Sequence, residues 1–95
     1  MSIVIQSFRC GETESIWKRE HSPEFHNIER VALRKLTMLH AATTLQDLRV
    51  PPGNGLEALT KDRAGQHSIR VNEQWRVCFV WKDGGANKVE IVDCH

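Results

Sequence analysis

The chain has no long apolar run, no paired cysteine spacing and almost no net charge, and each absence removes a class of protein. Nothing in its 95 residues approaches the roughly 20 apolar positions that a membrane-spanning helix requires. The Ile3-Val4-Ile5 run is too short for the apolar region of a signal peptide, and no small-residue cleavage site follows it. A soluble, cytoplasmic protein with no membrane attachment is the expectation. The three cysteines, Cys10, Cys78 and Cys94, form an odd set without a Cys-x-x-Cys pair, which argues against a disulfide scaffold or a zinc ribbon. Cys10 and Cys78 read instead as small, strand-associated residues in a reducing compartment. His21 and His26 are five apart, so they do not share a helical face, and no metal or cofactor is expected. Repeats and low-complexity segments are missing as well. With 40% hydrophobic residues, the chain can bury one core and is expected to be a single domain over 1–95.

A formal net charge of +1 does not announce a nucleic-acid binder, but its distribution is uneven. Residues 1–60 carry seven basic and seven acidic side chains, which cancel. Residues 61–82 carry five basic side chains (Lys61, Arg63, Arg70, Arg76, Lys82) against two acidic ones (Asp62, Glu73). That local excess suits either a phosphate-binding surface or an ordinary solvated one.

Residues 3–8 are rich in β-branched side chains and predict a first strand. Glu12 to Lys18 predicts a short helix. Ser22-Pro23-Glu24 predicts the start of a second, with serine as cap, proline at the first position and glutamate at the positive end of the dipole. Phe25, Ile28, Ala32, Leu36, Leu39 and Ala42 then recur at three- and four-residue spacing, which predicts an amphipathic helix of about twenty residues. Pro51-Pro52-Gly53-Asn54-Gly55 forces a loop. Leu56, Ala58 and Leu59 read as a brief return to the core, and Asp62 to Gln66 as a polar connection. Ser68 to Val71 predicts a strand. Trp75, Val77, Phe79 and Trp81 alternate with Arg76, Cys78, Val80 and Lys82, a period of two that places both tryptophans in the core. Asp83-Gly84-Gly85 is a hairpin turn, and a last strand starts at Val89. The order β-α-α-β-β-β predicts an α+β domain with two N-terminal helices packed on a mainly antiparallel sheet.

The run Pro51-Pro52-Gly53-Asn54, then Leu56-Glu57-Ala58-Leu59, then Asp62-Arg63-Ala64-Gly65-Gln66, then Asn72-Glu73-Gln74-Trp75-Arg76-Val77, and the closing Asp93-Cys94-His95 resembles the HigB-type branch of the RelE-like toxins. The resemblance is a series of short motifs in order over nearly the whole chain. It implies the RelE-like fold and the toxin of a type II toxin–antitoxin pair, an endoribonuclease that cleaves messenger RNA on the ribosome without a metal cofactor. It also implies a helix-turn-helix antitoxin of the HigA kind, and contact with operator DNA only through that antitoxin.

RNA cleavage without a metal needs a base for the 2′-hydroxyl proton, a cation for the charged phosphorane and an acid for the leaving 5′-oxygen. Arginine suits the middle role because its fork binds phosphate bidentately and stays charged. By position, the resemblance carries a phosphate-holding role to Arg76 and catalytic roles to Asp93 and His95, which are spaced by two and share a face of a regular strand. Arg76 has a second reading, as the partner of a carboxylate such as Glu90. Relatives commonly have lysine where Thr60 stands, so Lys61 joins the catalytic set one residue late, and Glu57 joins it as a base or as a cap of a short turn. Arg63, His67 and Arg70 are expected to contact RNA. Cys94 departs from the usual tyrosine, which removes a stacking surface. The residues also allow a catalytically weakened module that binds antitoxin and acts as operator co-repressor. A toxin acting on DNA gyrase shares the fold, but the closing Asp-x-His argues against it.

Overall fold

The computed structural model describes residues 5–20, 22–23 and 25–93. His95, Cys94, Glu24, His21 and the first two residues of the expected first strand, Ile3 and Val4, lie outside these residues. Two helices, α1 (Gly11–Trp17) and α2 (Glu29–Ala41), pack on one face of a sheet formed by β1 (Glu57–Ala58), β2 (His67–Arg70), β3 (Trp75–Lys82) and β4 (Gly85–Asp93). The strands lie in the order β1-β2-β3-β4, with every neighbour antiparallel. The α+β expectation is met.

The apolar stripe forms the centre of the core. Ala32, Leu36 and Leu39 on α2 are fully buried against Ile69, Val77, Phe79 and Val89 of the sheet. Complete burial of a side chain of this size contributes roughly 1.5–3 kcal/mol. Trp75 meets Phe25 edge-on at 5.3 Å and Trp81 meets Phe79 likewise at 6.5 Å, so both tryptophans pack against the core as their alternation predicts.

The helix itself differs from expectation. The α-helical part of the predicted twenty-residue span starts only at Glu29, after a 3₁₀ turn over His26–Ile28. Ser22 does not cap α2. It is buried, its hydroxyl donates to Glu12 on α1 at 2.5 Å, and its backbone N–H donates to Glu29 Oε1 at 2.8 Å. The same hydroxyl oxygen also accepts from the Phe25 N–H at 3.4 Å, a cap-type bond to the backbone three residues on, but it lies ahead of the 3₁₀ turn and not at the first turn of α2.

The predicted first strand is also corrected. Its described part runs parallel to the outer edge of β4, but pairing is limited to isolated bridges at Ile5–Ala86 and Phe8–Val89. Gln6 and Arg9 donate to Ala86 and Val89 carbonyls, Val89 donates to the Ser7 carbonyl, and Ile91 donates to Thr13 Oγ1 of α1 at 3.0 Å. Regular pairing fails there because β4 carries a bulge. Between Cys78 and Val80 the register slips, Lys88 takes φ 52°, and its N–H bonds to Ser7 Oγ. The extra residue lets both Ala86 and Val89 face the helices, three positions apart. β3 and β4 join through Asp83 and Gly84, both with positive φ, as a two-residue hairpin of this hand requires.

Between α2 and β2 the chain makes 3₁₀ turns at Leu45–Arg49, Pro52–Asn54 and Lys61–Arg63. Thr44 and Asp47 form a capping box on the first of these. Asp47 accepts from the Thr43 backbone N–H and hydroxyl, at 2.9 Å each, and from the Thr44 N–H at 3.1 Å. These bonds, led by the Thr43 amide, hold its carboxyl below the usual aspartate range. Leu56 packs against the core, whereas Ala58 is exposed. It lies in β1, a two-residue edge strand and not a core segment.

Candidate functional site

Alternation along the sheet gives two faces. Val77, paired with Ile69 and Ile91, faces the helices, so its neighbours Arg76 and Cys78 face away. Glu57, Ser68, Cys78 and Glu90 form one row across the four strands on this second face. Arg70, Arg76 and Val92 form the next row.

Arg76 is the best-held residue of that face. Its Nε donates to Ser68 Oγ at 2.7 Å, and its Nη2 donates to the Gly55 carbonyl at 2.5 Å and more distantly to the Ser68 carbonyl. The Glu57 carboxylate stands 3.9 Å from Nη2. Among the described residues the Nη1 hydrogens have no acceptor. Ser68 is buried and the Arg76 side chain is 17% exposed, so little water screens these bonds.

The carbonyl that receives Arg76 is set by the preceding loop. Gly55 ends the Pro52–Asn54 turn at φ 54°, ψ 48°, a left-handed conformation natural to glycine. A Cβ there would sit 3.8 Å from both Nη atoms, an ordinary contact, so the backbone angle and not crowding favours glycine. The adjacent Asn54 is buried. It donates to the Leu48 and Val50 carbonyls and accepts from Lys35 Nζ at 2.7 Å, which fastens the loop to α2. Burial, with Arg34 nearby, lowers the Lys35 pKa. Asn54 was not singled out in the sequence as a site residue. The signals at this position were its Pro- and Gly-rich surroundings and its place at the end of the Pro51-Pro52-Gly53-Asn54 motif.

The other expected residues divide. Glu57 joins Arg76. The alternative pairing of Arg76 with Glu90 does not occur, because Arg63 takes Glu90 at 2.7 Å and also donates to Gln66. The Glu90 bond holds the Arg63 guanidinium still more firmly protonated. Arg63 reaches Glu90 from the β1–β2 connection, on the same sheet face as Arg76. Arg70 is exposed, directly opposite Arg76 in register, and donates to the Asn72 carbonyl. Lys61 is exposed at the head of its 3₁₀ turn with φ 56°, outside regular structure, and makes no contact with Arg76. His67 faces the helix side opposite Phe79, with its Nδ1 buried and lacking an acceptor or donor among the described residues.

Asp93 is the main surprise. Its register partner is Trp75, while Val92 is the partner of Arg76, so Asp93 belongs to the helix-side face. It is exposed at the end of β4 and accepts from Gln74 Nε2 at 3.1 Å. His95 lies beyond the described residues. No group of three or more His, Cys, Asp or Glu side chains able to hold a metal occurs among the described residues. No helix described is long and apolar enough to cross a membrane.

Comparison with known proteins agrees with this architecture. Over 60 residues the chain is 50% identical to Toxin HigB-1 of Vibrio cholerae serotype O1, a stretch that spans 63% of this chain and 63% of that protein's length. Over 69 residues it is 38% identical to a Haemophilus influenzae protein described as uncharacterized, covering 73% of this chain and 68% of the other. Residues 15–95 match the model of a family described as the RelE-like toxin of type II toxin–antitoxin system HigB, and the chain belongs to that HigB-like toxin family.

Proposed function

We propose that this chain is a ribosome-dependent messenger-RNA endoribonuclease, active without a metal and neutralised by a helix-turn-helix antitoxin of the HigA kind. The observation that carries this reading is Arg76, a guanidinium held by Ser68 Oγ and the Gly55 carbonyl while its Nη1 hydrogens have no acceptor among the described residues. A cation whose side chain is ordered before substrate arrives, with donors left over, suits a phosphate that gains charge in the transition state.

In the reaction, the ribose 2′-oxygen loses its proton and attacks the adjacent phosphorus. The bond from phosphorus to the 5′-oxygen then breaks, and that oxygen takes up a proton. The products are a 2′,3′-cyclic phosphate and a 5′-hydroxyl. Arg76 stabilises the phosphorane, and His95 and Lys61 are the proton carriers and auxiliary cation of the proposal. Asp93, on the other face from Arg76 and bonded to Gln74, serves by positioning the chain end. A protein with net charge +1 has little electrostatic reach of its own, which fits a substrate delivered by the ribosome.

The test is cleavage of a defined message on programmed ribosomes by wild type, Arg76→Lys and Arg76→Ala. Lysine keeps the charge but loses the fork, so both variants are expected to lose about 100- to 1,000-fold in rate. Undiminished cleavage by Arg76→Ala removes the proposal, and absence of cleavage by wild type together with tight antitoxin binding leaves the co-repressor module instead.

A further inference from the structure

We propose that Glu57 is an internal counter-anion for Arg76, holding the place of a phosphate until RNA displaces it. This inference rests on the reading of Arg76 as the phosphate-holding residue. Arg76 and Glu57 differ sharply in how firmly they are held. Arg76 is 17% exposed and held by neutral oxygens, the Ser68 hydroxyl and the Gly55 carbonyl, with the Ser68 carbonyl more distant. Glu57 is 63% exposed, sits in a two-residue edge strand, and approaches Nη2 at 3.9 Å, beyond hydrogen-bonding distance. The neutral contacts fix where the guanidinium is. The carboxylate only balances its charge.

An exposed pair at that separation is a weak one. A phosphodiester brings two acceptor oxygens at hydrogen-bonding distance, against one carboxylate oxygen that falls short of it, so it displaces Glu57 from the arginine. Displacement has a consequence for selectivity. A ligand offering a single weakly placed anion gains little over Glu57, whereas one with further contacts prevails. Glu57 thus raises the threshold for free phosphate and adventitious RNA without blocking a substrate positioned elsewhere. It is a positioning residue acting through Arg76, and this differs from a role as general base, which requires the carboxylate to meet the 2′-hydroxyl.

Inorganic phosphate separates these roles because it has no hydroxyl to activate. Isotope-labelled full-length protein is titrated with inorganic phosphate at constant ionic strength, with the Arg76 Nε–Hε resonance as readout. Glu57→Gln is expected to bind phosphate about two- to fivefold more tightly, the range expected from release of one exposed ion pair. Glu57→Asp is expected to return toward wild type. Asp62→Asn, which removes an equal charge from a residue with no contact to Arg76, is expected to shift the midpoint less. Equal midpoints for wild type and Glu57→Gln, with phosphate binding intact, overturn the counter-anion while leaving Arg76 as phosphate holder. An Arg76 resonance unmoved by phosphate in every variant overturns both. Loss of message cleavage in Glu57→Gln at unchanged phosphate affinity also overturns the counter-anion and assigns Glu57 the base role.

Discussion

Replacing Ser68 by alanine tests whether Arg76 is held ready or merely happens to lie there. The hydroxyl accepts from the Arg76 Nε at 2.7 Å, Ser68 is buried, and the arginine is 17% exposed. A hydrogen bond to a charged group contributes about 1.5–3 kcal/mol net. Residual solvent contact of the fork and its remaining bond to Gly55 place the expected loss near the lower end, about 1.5 kcal/mol. For a domain of this size that corresponds to a fall in melting temperature of about 6–12 °C. Urea denaturation should show a lower midpoint at unchanged slope, since no large surface is newly exposed. The same substitution loosens the guanidinium, and message cleavage on programmed ribosomes is expected to fall about tenfold. The control is the same change in an Arg76→Ala background, where the hydroxyl has lost its charged donor and its removal should matter much less. If Ser68→Ala changes stability by less than about 0.5 kcal/mol in both backgrounds, the serine does not hold the arginine and the reasoning fails.

Two further outcomes follow from the loop that carries Gly55. Asn54→Ala removes the acceptor of Lys35 and leaves the Leu48 and Val50 carbonyls without their side-chain donor, so denaturant unfolding should report a loss of about 2–4 kcal/mol, with cleavage reduced as well. Asp47 has a folded-state pKa below its unfolded value, so its stabilisation is fully present above about pH 4 and disappears as pH falls through the folded pKa. The melting-temperature gap between wild type and Asp47→Asn should therefore be constant near neutrality and narrow as the pH falls below the ordinary aspartate range. A gap independent of pH would count against the bonds from Thr43 and Thr44 as its source.

The parts of the fold governed by short-range periodicity were legible. Phe25, Ile28, Ala32, Leu36, Leu39 and Ala42 are all buried, and the alternation from Trp75 to Trp81 placed the core face of β3 correctly. What escaped was governed by partners distant in the chain. Ser22 has every local mark of a helix cap and its oxygen does accept from the Phe25 N–H, yet its hydroxyl proton goes to Glu12 on another helix and α2 begins only at Glu29. The described part of the expected first strand, from Ile5 to Phe8, does lie against the sheet, but the bulge at Lys88 keeps it from pairing as a regular strand. The carboxylate beside Arg76 turned out to be Glu57 and not Glu90, because Arg63 reaches across from the β1–β2 connection to claim the latter. Motif order pointed to both Arg76 and Asp93, but their placement on separate faces follows only from the register of β3 against β4.

The segment from Ile5 to Thr13 that closes the outer side of β4 also limits how other molecules can recognise this domain. A sheet with a bare margin invites a foreign strand to continue it, and such recognition draws on main-chain groups with little regard for sequence. Here the main-chain groups of Ala86 and Val89, and the amide of Ile91, are already engaged by the chain's own beginning. The opposite margin ends in a strand of two residues, too short to template another. A partner that added a strand to β4 would first have to displace that segment. Recognition therefore falls to side chains, and a sequence change on either sheet face or on the helices can alter which partner is bound without altering the fold.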